Sequence, residues 1–200
     1  ADSGMNTKGD YMERKGEMTK RLLGESFKEL MQKKPFDKIT IKMITDGAGV
    51  IRPTFYNYFQ DKYEVMEWLL EQDVFIGARE LIHMNMQREA VKMIFRKLEA
   101  ERQYYVRAFE VEGQNSFEEM LVHEVYSIIQ TAFELHPIDM HGFEKSISKE
   151  VFMKFHAITM VNGIKIWILD KEYKISADEA LDMYQFLMTH SFAELMGGKS

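Results

Sequence analysis

The sequence predicts an all-α fold of about nine helices. Only three prolines occur in 200 residues, and proline is the residue that most strongly interrupts helices. Apolar residues recur three and four positions apart through most of the chain, which is the spacing of a helix with one buried face. No stretch keeps the two-residue alternation of a half-buried strand for long enough to predict one.

The composition narrows the class of protein. Hydrophobic residues make up 46% of the chain, which is enough for a sizeable core. There is no cysteine, so disulfides and thiolate metal sites are excluded. No apolar run approaches the roughly 20 residues that cross a bilayer, and the polar amino-terminal stretch does not match a signal peptide. We therefore expect a cytoplasmic protein that does not enter a membrane.

The amino-terminal part predicts three helices. The first runs from Met18 to Lys33 with an apolar stripe, and Pro35 forces the residue before it out of helical geometry. Thr40 is placed to cap a second helix from Ile41 to about Gly47, because a threonine side chain there accepts a backbone N–H bond. The third helix is predicted from Arg52 to Phe59.

The segment GVIRPTFYNYFQDKYEV, residues 49–65, organises this part of the chain. Gly49 suits a tight turn because glycine tolerates a positive φ, and Pro53 fits the first turn of a helix. Phe55 and Phe59 lie four residues apart and can anchor one face of that helix to a core. The other face then directs hydrogen-bonding side chains outward, which is typical of a helix that reads the major groove of DNA.

The rest of the chain predicts a larger helical domain. Its helices are expected at 61–83, 87–98, 102–111, 117–135, 142–169 and between Ser176 and Gly197. Ser116 and Ser176 are placed as helix caps, each with a glutamate three residues later as in a capping box. The predicted domains are 18–62 and 63–197.

The charge is distributed unevenly between these parts. Residues 14–62 contain 11 Lys and Arg against 6 Asp and Glu, a net charge of +5, while the whole chain carries −6. The rest of the chain therefore carries −11. A basic module beside an acidic domain is typical of a protein that binds nucleic acid through one part. Chance clustering of the charges remains the alternative.

Residues 20–70 resemble the TetR family of bacterial transcriptional regulators. The resemblance runs through FKELMQKKPFDKITIKMITDGAGVIRPTFYNYFQDKYEVMEWLL, and TFYNYFQDKYE together with QNSF at 114–117 is similar to the dihydroxyacetone kinase regulator subgroup. The resemblance implies nine helices, with an amino-terminal helix-turn-helix and a carboxy-terminal domain for effector binding and dimerisation. It also implies a homodimer formed through the last two helices and a palindromic double-stranded DNA operator.

The residues expected to contact DNA combine position in the sequence with this resemblance. Lys42 lies on the outer face of the second helix, and the start of the third helix is the part that usually meets base edges. The family pattern adds phosphate or backbone contacts from the end of the third helix and the start of the fourth. The full set is Thr40, Lys42, Arg52, Pro53, Thr54, Tyr56, Asn57, Tyr58 and Lys62. The alternative for each is a solvated surface side chain, and for Thr40 it is a cap alone.

Two residues depart from the family pattern. Ile51 stands where a capping Ser or Thr usually begins the recognition helix, and Gly47 ends the second helix where Ala is usual. By cap and propensity magnitudes, each departure loosens the helix-turn-helix by roughly 1 kcal/mol.

An effector pocket is expected among the helices of the larger domain. Its candidate lining residues are Trp68, Tyr105, Phe109, Asn115, Phe117, Phe155, His156 and Met160. The alternative is that aromatic and methionine side chains at helical spacing fill the core. For the last two helices, the alternative to a dimer interface is that they close the core of a single chain.

Nothing in the sequence favours an enzyme. The six histidines do not fall into a metal-ligand spacing, and there is no G-x-S-x-G motif, P-loop or dinucleotide fingerprint. We expect no catalytic residue, metal or cofactor. The sequence predicts a DNA-binding regulator, with repression as the commonest family mode, controlled by a small-molecule effector. The alternative is a co-regulator whose carboxy-terminal domain binds a partner protein.

Overall fold

The computed structural model describes residues 7–136, 148–172 and 174–190, together with 194, 196 and 197. Within these residues the chain is helical and contains no strand, so the predicted fold class is confirmed. The chain divides into two compact units, Ala1–Leu69 and Leu70–Ser200. This division falls seven residues after the predicted boundary between residues 62 and 63.

The first unit contains four α-helices and a short 3₁₀ turn. They are α1 (Thr7–Lys33), the turn Phe36–Lys38, α2 (Ile41–Gly47), α3 (Arg52–Tyr56) and α4 (Lys62–Leu70). Helix α1 starts 11 residues before the predicted Met18. Its first turns, TKGDYMERKGE, have no apolar stripe to reveal them, although Glu, Arg, Lys and Met favour helix. Helix α3 ends at Tyr56 rather than Phe59, because the Tyr58 N–H bonds the Phe55 carbonyl in a tighter turn.

The second unit continues from α4 through a π turn. It contains that turn (Glu71–Phe75), α5 (Ile76–His83), α6 (Gln87–Ala100), α7 (Arg102–Ala108), α8 (Phe117–Leu135), α9 (Lys149–Leu169) and α10 (Ala177–Thr189). When the continuous stretch from α4 to α5 is counted as one helix, the described residues of both units contain nine helices. Helix α7 stops at Ala108, three residues before the predicted Val111, where the chain turns.

Two predicted helical segments lie outside the described residues. They are residues 142–147, at the predicted start of α9, and the positions of Phe192 and Leu195 in the predicted last helix. None of the described helices has both the length and the hydropathy that crossing a membrane requires.

Side-chain caps begin the helices where the sequence predicts them. The Thr40 hydroxyl accepts a bond from the Met43 N–H at 3.2 Å, and Ser116 does the same for Glu119. Ser176 and Glu179 form a complete capping box at the start of α10. These bonds satisfy N–H groups that the first turn of a helix otherwise leaves without partners.

The core of the first unit is largely aromatic and aliphatic. The buried side chains include Leu23, Phe27, Met31, Phe36, Ile39, Ile44, Phe55, Phe59, Val65, Met66 and Leu69. The Phe55 and Phe59 rings lie 5.7 Å apart, and Phe59 is also 5.7 Å from the Trp68 ring. Two buried aromatic rings therefore hold a helix of only five residues, which is too short to be stable in isolation.

Gly47 has a packing role that its helix propensity does not reveal. A β-carbon at this position would lie 2.3 Å from the Ser26 hydroxyl oxygen. That buried hydroxyl donates a 2.8 Å bond to the Ile44 carbonyl and so joins α1 to α2. The glycine thus permits a close approach of the two helices, and this contact offsets the lower helix propensity of glycine relative to alanine.

We predict that Gly47→Ala destabilises the first unit. Alanine should gain about 1 kcal/mol in helix propensity but lose about 1–3 kcal/mol by displacing Ser26 and its hydrogen bond. Thermal unfolding followed by circular dichroism measures the net change. Ser26→Ala in the Gly47→Ala background should recover part of the loss, because it removes the colliding oxygen. A more stable Gly47→Ala protein would contradict this packing role.

Candidate nucleic-acid interface

Helix α3 presents most of its polar residues to solvent. Gly49 adopts φ +68° in the turn before it, and the Val50 N–H bonds the Thr45 carbonyl at 3.0 Å. With Phe55 and Phe59 buried, the helix exposes Arg52, Pro53, Tyr56 and Asn57, while Thr54 is partly exposed. The structure therefore brings these five predicted DNA contacts together on one short segment.

Arg52 and Tyr56 contact each other across one turn of α3. The Tyr56 hydroxyl oxygen accepts bonds from Arg52 Nη2 at 3.0 Å and from Nε at 3.3 Å. The guanidinium carbon also lies 5.6 Å from the centre of the tyrosine ring. Residues four apart are neighbours on a helix surface, so this pair forms within α3 alone.

The predicted contacts at α2 have partners within that helix. The Thr40 hydroxyl caps α2, so its predicted capping role is confirmed, and the side chain stays exposed. Lys42 is exposed and pairs with Asp46 one turn later. Surface ion pairs of this type stabilise little, and Lys42 can exchange Asp46 for a phosphate at small cost.

Lys62 makes its polar contacts within the first unit. Its ammonium donates to the carbonyl oxygens of Phe36 at 2.7 Å and Ile39 at 3.1 Å, and it lies 4.1 Å from the centre of the Phe36 ring. Burial lowers the pKa of Lys62 from its usual value, while the charges of Asp37 and Asp61 act in the opposite direction. Two of its three N–H donors therefore hold the segment before α2, and its contact with phosphate stays a prediction.

Tyr58 lies apart from the exposed face of α3. It is half-buried, and a β-carbon placed on Gly16 would lie 3.6 Å from its ring and hydroxyl. The ring therefore lies against α1. This position favours packing for Tyr58 over base reading.

Ile51 precedes α3 as its N-cap residue. Its side chain makes no capping bond, as its apolar nature predicts. The side chain is 70% exposed, beside Arg52 and Pro53. Sequence reasoning treated Ile51 only as a weak cap and missed it as part of the exposed surface. The signal was present in the sequence, because a cap position always borders the first turn.

The candidate pocket residues of the second unit are divided between its core and its surface in the described part of the chain. Tyr105, Phe109 and Phe117 are buried and pack directly, with Phe117 at 5.6 Å from Tyr105 and 4.9 Å from Phe109. Met160 is also buried, while Phe155 is 73% exposed on α9. The three rings fill core, which was the alternative interpretation of the aromatic spacing.

The other candidates lie elsewhere. Asn115 adopts φ +69° in the loop before α8, a conformation that asparagine tolerates better than most residues. Trp68 belongs to the first unit, where Arg21 lies 5.3 Å from its ring. Neither residue lines any of the cavities described below.

His156 is the one predicted pocket residue that lines a described cavity. The cavity measures about 250 Å³, and its walls are Ile82, Gln87, Val91, Ile128, Ile129, Ala132, Phe133, Phe152 and His156. His156 Nε2 lies 3.0 Å from the Tyr184 hydroxyl. Burial lowers the pKa of His156, so the ring is neutral at physiological pH.

A wider groove runs between α8 and α9. It measures about 830 Å³ and is open to solvent. Its lining is Ser116, Glu118, Glu119, Val122, His123, Tyr126, Glu150, Val151, Lys154 and Ile158. Apolar and acidic side chains therefore share this surface.

A partly buried charge cluster of the second unit was also missed by sequence reasoning. Arg79 donates to the buried carboxylate of Glu124 and lies 3.5 Å from Glu71. Burial raises the pKa of Glu124, although the charge of Arg79 acts to lower it. Spacing along one helix cannot reveal such a pair, because its members lie 45 residues apart. No group of three or more potential metal ligands occurs in the described part of the chain.

Comparison with known proteins finds a family that matches part of this chain. The family described as "Bacterial regulatory proteins, tetR family" matches residues 28–68, the segment that contains α2, α3 and their core partners. The first unit of this chain is thus similar to the amino-terminal part of TetR-family regulators. The match covers Lys42, Arg52, Tyr56 and Lys62 and ends before the second unit.

One curated relative is similar over part of the chain. It is the HTH-type dhaKLM operon transcriptional activator DhaS of Lactococcus lactis subsp. lactis (strain IL1403), 29% identical over 103 residues. These residues are 50% of this chain and 53% of the relative, so the match spans about half the length of DhaS. The similarity confirms the resemblance to dihydroxyacetone kinase regulators.

Two solved structures share the fold. One is titled dihydroxyacetone kinase operon activator DhaS, with a TM-score of 0.61 and 21% identity over 91% of this chain and 98% of that one. The other is a TetR transcriptional regulator from Streptococcus agalactiae 2603V, with a TM-score of 0.62 and 19% identity over 90% and 98%. The family and these relatives are transcriptional regulators, which agrees with the expectation that this chain is not an enzyme.

Proposed function

We propose that this chain is a cytoplasmic transcriptional regulator of the TetR family that binds double-stranded operator DNA through α3. The observation that carries the proposal is the exposure of Arg52, Thr54, Tyr56 and Asn57 on a segment anchored from behind by Phe55 and Phe59. A short helix presented in this way fits the major groove, where its first residues meet base edges.

Each exposed residue has a role within this proposal. Arg52, Pro53 and Thr54 read base edges, with the proline ring and the threonine methyl suited to a thymine methyl. Lys42 and the Tyr56 hydroxyl bind phosphate, and Thr40 and Asn57 contact the backbone. Lys62 and Tyr58 act behind this surface, because their side chains are engaged with the rest of the unit.

The proposed assembly is a homodimer formed through α9 and α10. Helix α9 exposes Val151, Phe155, Ile158 and Ile166, which recur at helical spacing. Helix α10 exposes Met183, Phe186, Leu187 and Met188. Large apolar side chains grouped in this way mark an interaction surface. A two-fold dimer would match a palindromic operator, because each copy supplies one recognition helix.

Two kinds of controlling input are supported by different observations. The 250 Å³ cavity beside His156 favours a small, mainly apolar effector. The filled aromatic core around Phe117 and the open groove between α8 and α9 favour the alternative, a partner protein that binds the second unit.

Repression, the commonest family mode, remains a prediction, whereas the DhaS relatives are described as activators. Expression of a reporter gene placed behind the operator, with and without this chain, shows whether the chain represses or activates transcription.

We predict that Lys42→Ala changes the salt dependence of DNA binding, whereas Lys62→Met changes the stability of the chain. Lys42→Ala should lower the slope of log affinity against log salt by about two, because each of the two copies in the dimer loses one phosphate contact, and should leave the melting temperature unchanged. Lys62→Met should lower stability by about 1–3 kcal/mol through loss of two bonds to carbonyls, with an unchanged slope. Fluorescence anisotropy with a duplex selected from a random library measures the slopes.

The two variants are controls for each other, since each removes one lysine charge from the same unit. A reduced salt slope for Lys62→Met without loss of stability would restore its phosphate role and contradict our assignment. If the wild-type chain selects no sequence from the library and prefers no duplex, the DNA-reading proposal itself is wrong.

We predict that Phe155→Glu together with Ile166→Glu converts the dimer to a monomer. Both side chains are more than 70% exposed on α9, and two buried charges on each copy would oppose association. Sedimentation velocity of the full chain at micromolar concentration measures the state. Met84→Glu is the control, because Met84 is 66% exposed in the turn after α5 and belongs to neither α9 nor α10. A wild-type monomer would overturn the interface.

We predict that a low-molecular-mass metabolite fraction changes the affinity of the chain for its operator. Ala132→Phe, which places a ring in the 250 Å³ cavity, should abolish that response while preserving DNA binding in the absence of the fraction. Mobility shifts at fixed salt measure both quantities. A response found only with the protein fraction, and unaffected by Ala132→Phe, would favour the partner-protein alternative.

A further inference from the structure

Arg52 has two edges that can each donate a pair of hydrogen bonds. One edge is formed by Nε and one terminal nitrogen, and the other by the two terminal nitrogens. In this structure the Nε–Nη2 edge bonds the Tyr56 hydroxyl oxygen, at 3.3 and 3.0 Å. These bonds use the Nε–H and one Nη2–H. The terminal edge keeps one N–H on each of Nη1 and Nη2.

The terminal edge has the geometry that guanine requires. A guanidinium fork donates to O6 and N7 of guanine in the major groove, and this is the commonest specific contact between an arginine and a base. The tyrosine ring also lies beside the guanidinium, 5.6 Å from ring centre to Cζ, which restricts the arginine further. An arginine fixed before binding has less rotamer freedom to lose on binding.

We propose that Tyr56 is a positioning residue for Arg52, and that the pair reads one guanine in each operator half-site. This inference rests on the proposed DNA-reading function of α3. It specifies which base Arg52 recognises and assigns Tyr56 a part in that recognition. The Tyr56 hydroxyl accepts both arginine bonds and keeps its own O–H to donate to a phosphate oxygen. Tyr56 thereby couples the contact with the DNA backbone to the orientation of the base-reading side chain.

The proposal separates two effects of removing the Tyr56 hydroxyl. If the hydroxyl only binds phosphate, its loss weakens binding to all sequences by the same factor, because phosphates carry no sequence information. If it positions Arg52, its loss also reduces the preference for guanine at the position that Arg52 reads. The ratio of affinities for two bases at one position is insensitive to the first effect and reports the second.

The experiment is selection of duplexes from a random library by the full-length chain, followed by affinity measurements with single-base variants of the selected site. Arg52→Ala identifies the position by losing its base preference there. We expect guanine at that position in the wild type, preferred by about tenfold or more. Tyr56→Phe should reduce that preference about three- to tenfold, because Arg52 loses both bonds to the hydroxyl and must then be ordered on binding, with preferences elsewhere in the site retained.

Three further variants make the comparison specific. Arg52→Lys keeps the charge but lacks the fork, so it should lose most of the guanine preference. The double variant Arg52→Ala/Tyr56→Phe should show no further loss at this position than Arg52→Ala alone. Tyr63→Phe is the matched control, since it removes a hydroxyl from the same unit at a half-buried ring beside Phe36, and its preference should equal that of the wild type.

Several outcomes would overturn the proposal. A uniform loss of affinity in Tyr56→Phe with an unchanged preference profile would make Tyr56 a phosphate ligand only. A different preferred base at the Arg52-dependent position, or no such position, would remove the guanine assignment. These results leave the DNA-reading function intact. If the wild type selects no sequence at all, the proposed function fails and this inference fails with it.

Discussion

The burial of Phe55 and Phe59 is the interaction on which the DNA-reading surface depends. Helix α3 has only five residues, and so short a helix does not persist in water without packing. Phe59 contacts Trp68 as well as Phe55, so the two rings tie α3 to α4. With these rings buried, Arg52, Tyr56 and Asn57 remain exposed around the rest of the segment.

A second constraint fixes the segment before α2. The Lys62 ammonium bonds two carbonyl oxygens in residues 36–39, immediately before the Thr40 cap. The carbonyls lie 23 and 26 residues away in the sequence, so this ammonium joins the start of α4 to the segment before α2. At the other end of α2, Gly47 lets Ser26 of α1 approach closely. Polar side chains thus set the position of α2, while aromatic rings set that of α3.

Local rules predicted the parts of this arrangement that depend on neighbours in sequence. The bounds of α2, the caps Thr40 and Ser176 and the anchoring phenylalanines all follow from spacing and residue type, and the structure agrees. Contacts between distant residues could not be read in this way. The partners of Lys62, the Ser26 contact at Gly47 and the pairing of Arg79 with Glu124 all require the folded chain. Spacing also cannot tell a filled core from a cavity, and the predicted pocket residues Tyr105, Phe109 and Phe117 pack against one another in the core.

The most direct test of the account is a hydroxyl-radical footprint of the full-length chain on a duplex that it selects. Two dimer-related α3 helices should protect two backbone patches related by two-fold symmetry, separated by about one helical turn or a multiple of it. Phe155→Glu with Ile166→Glu should remove both patches together at the same protein concentration. A single unsymmetrical patch, or protection that does not depend on sequence, would contradict a dimeric regulator that reads DNA through α3.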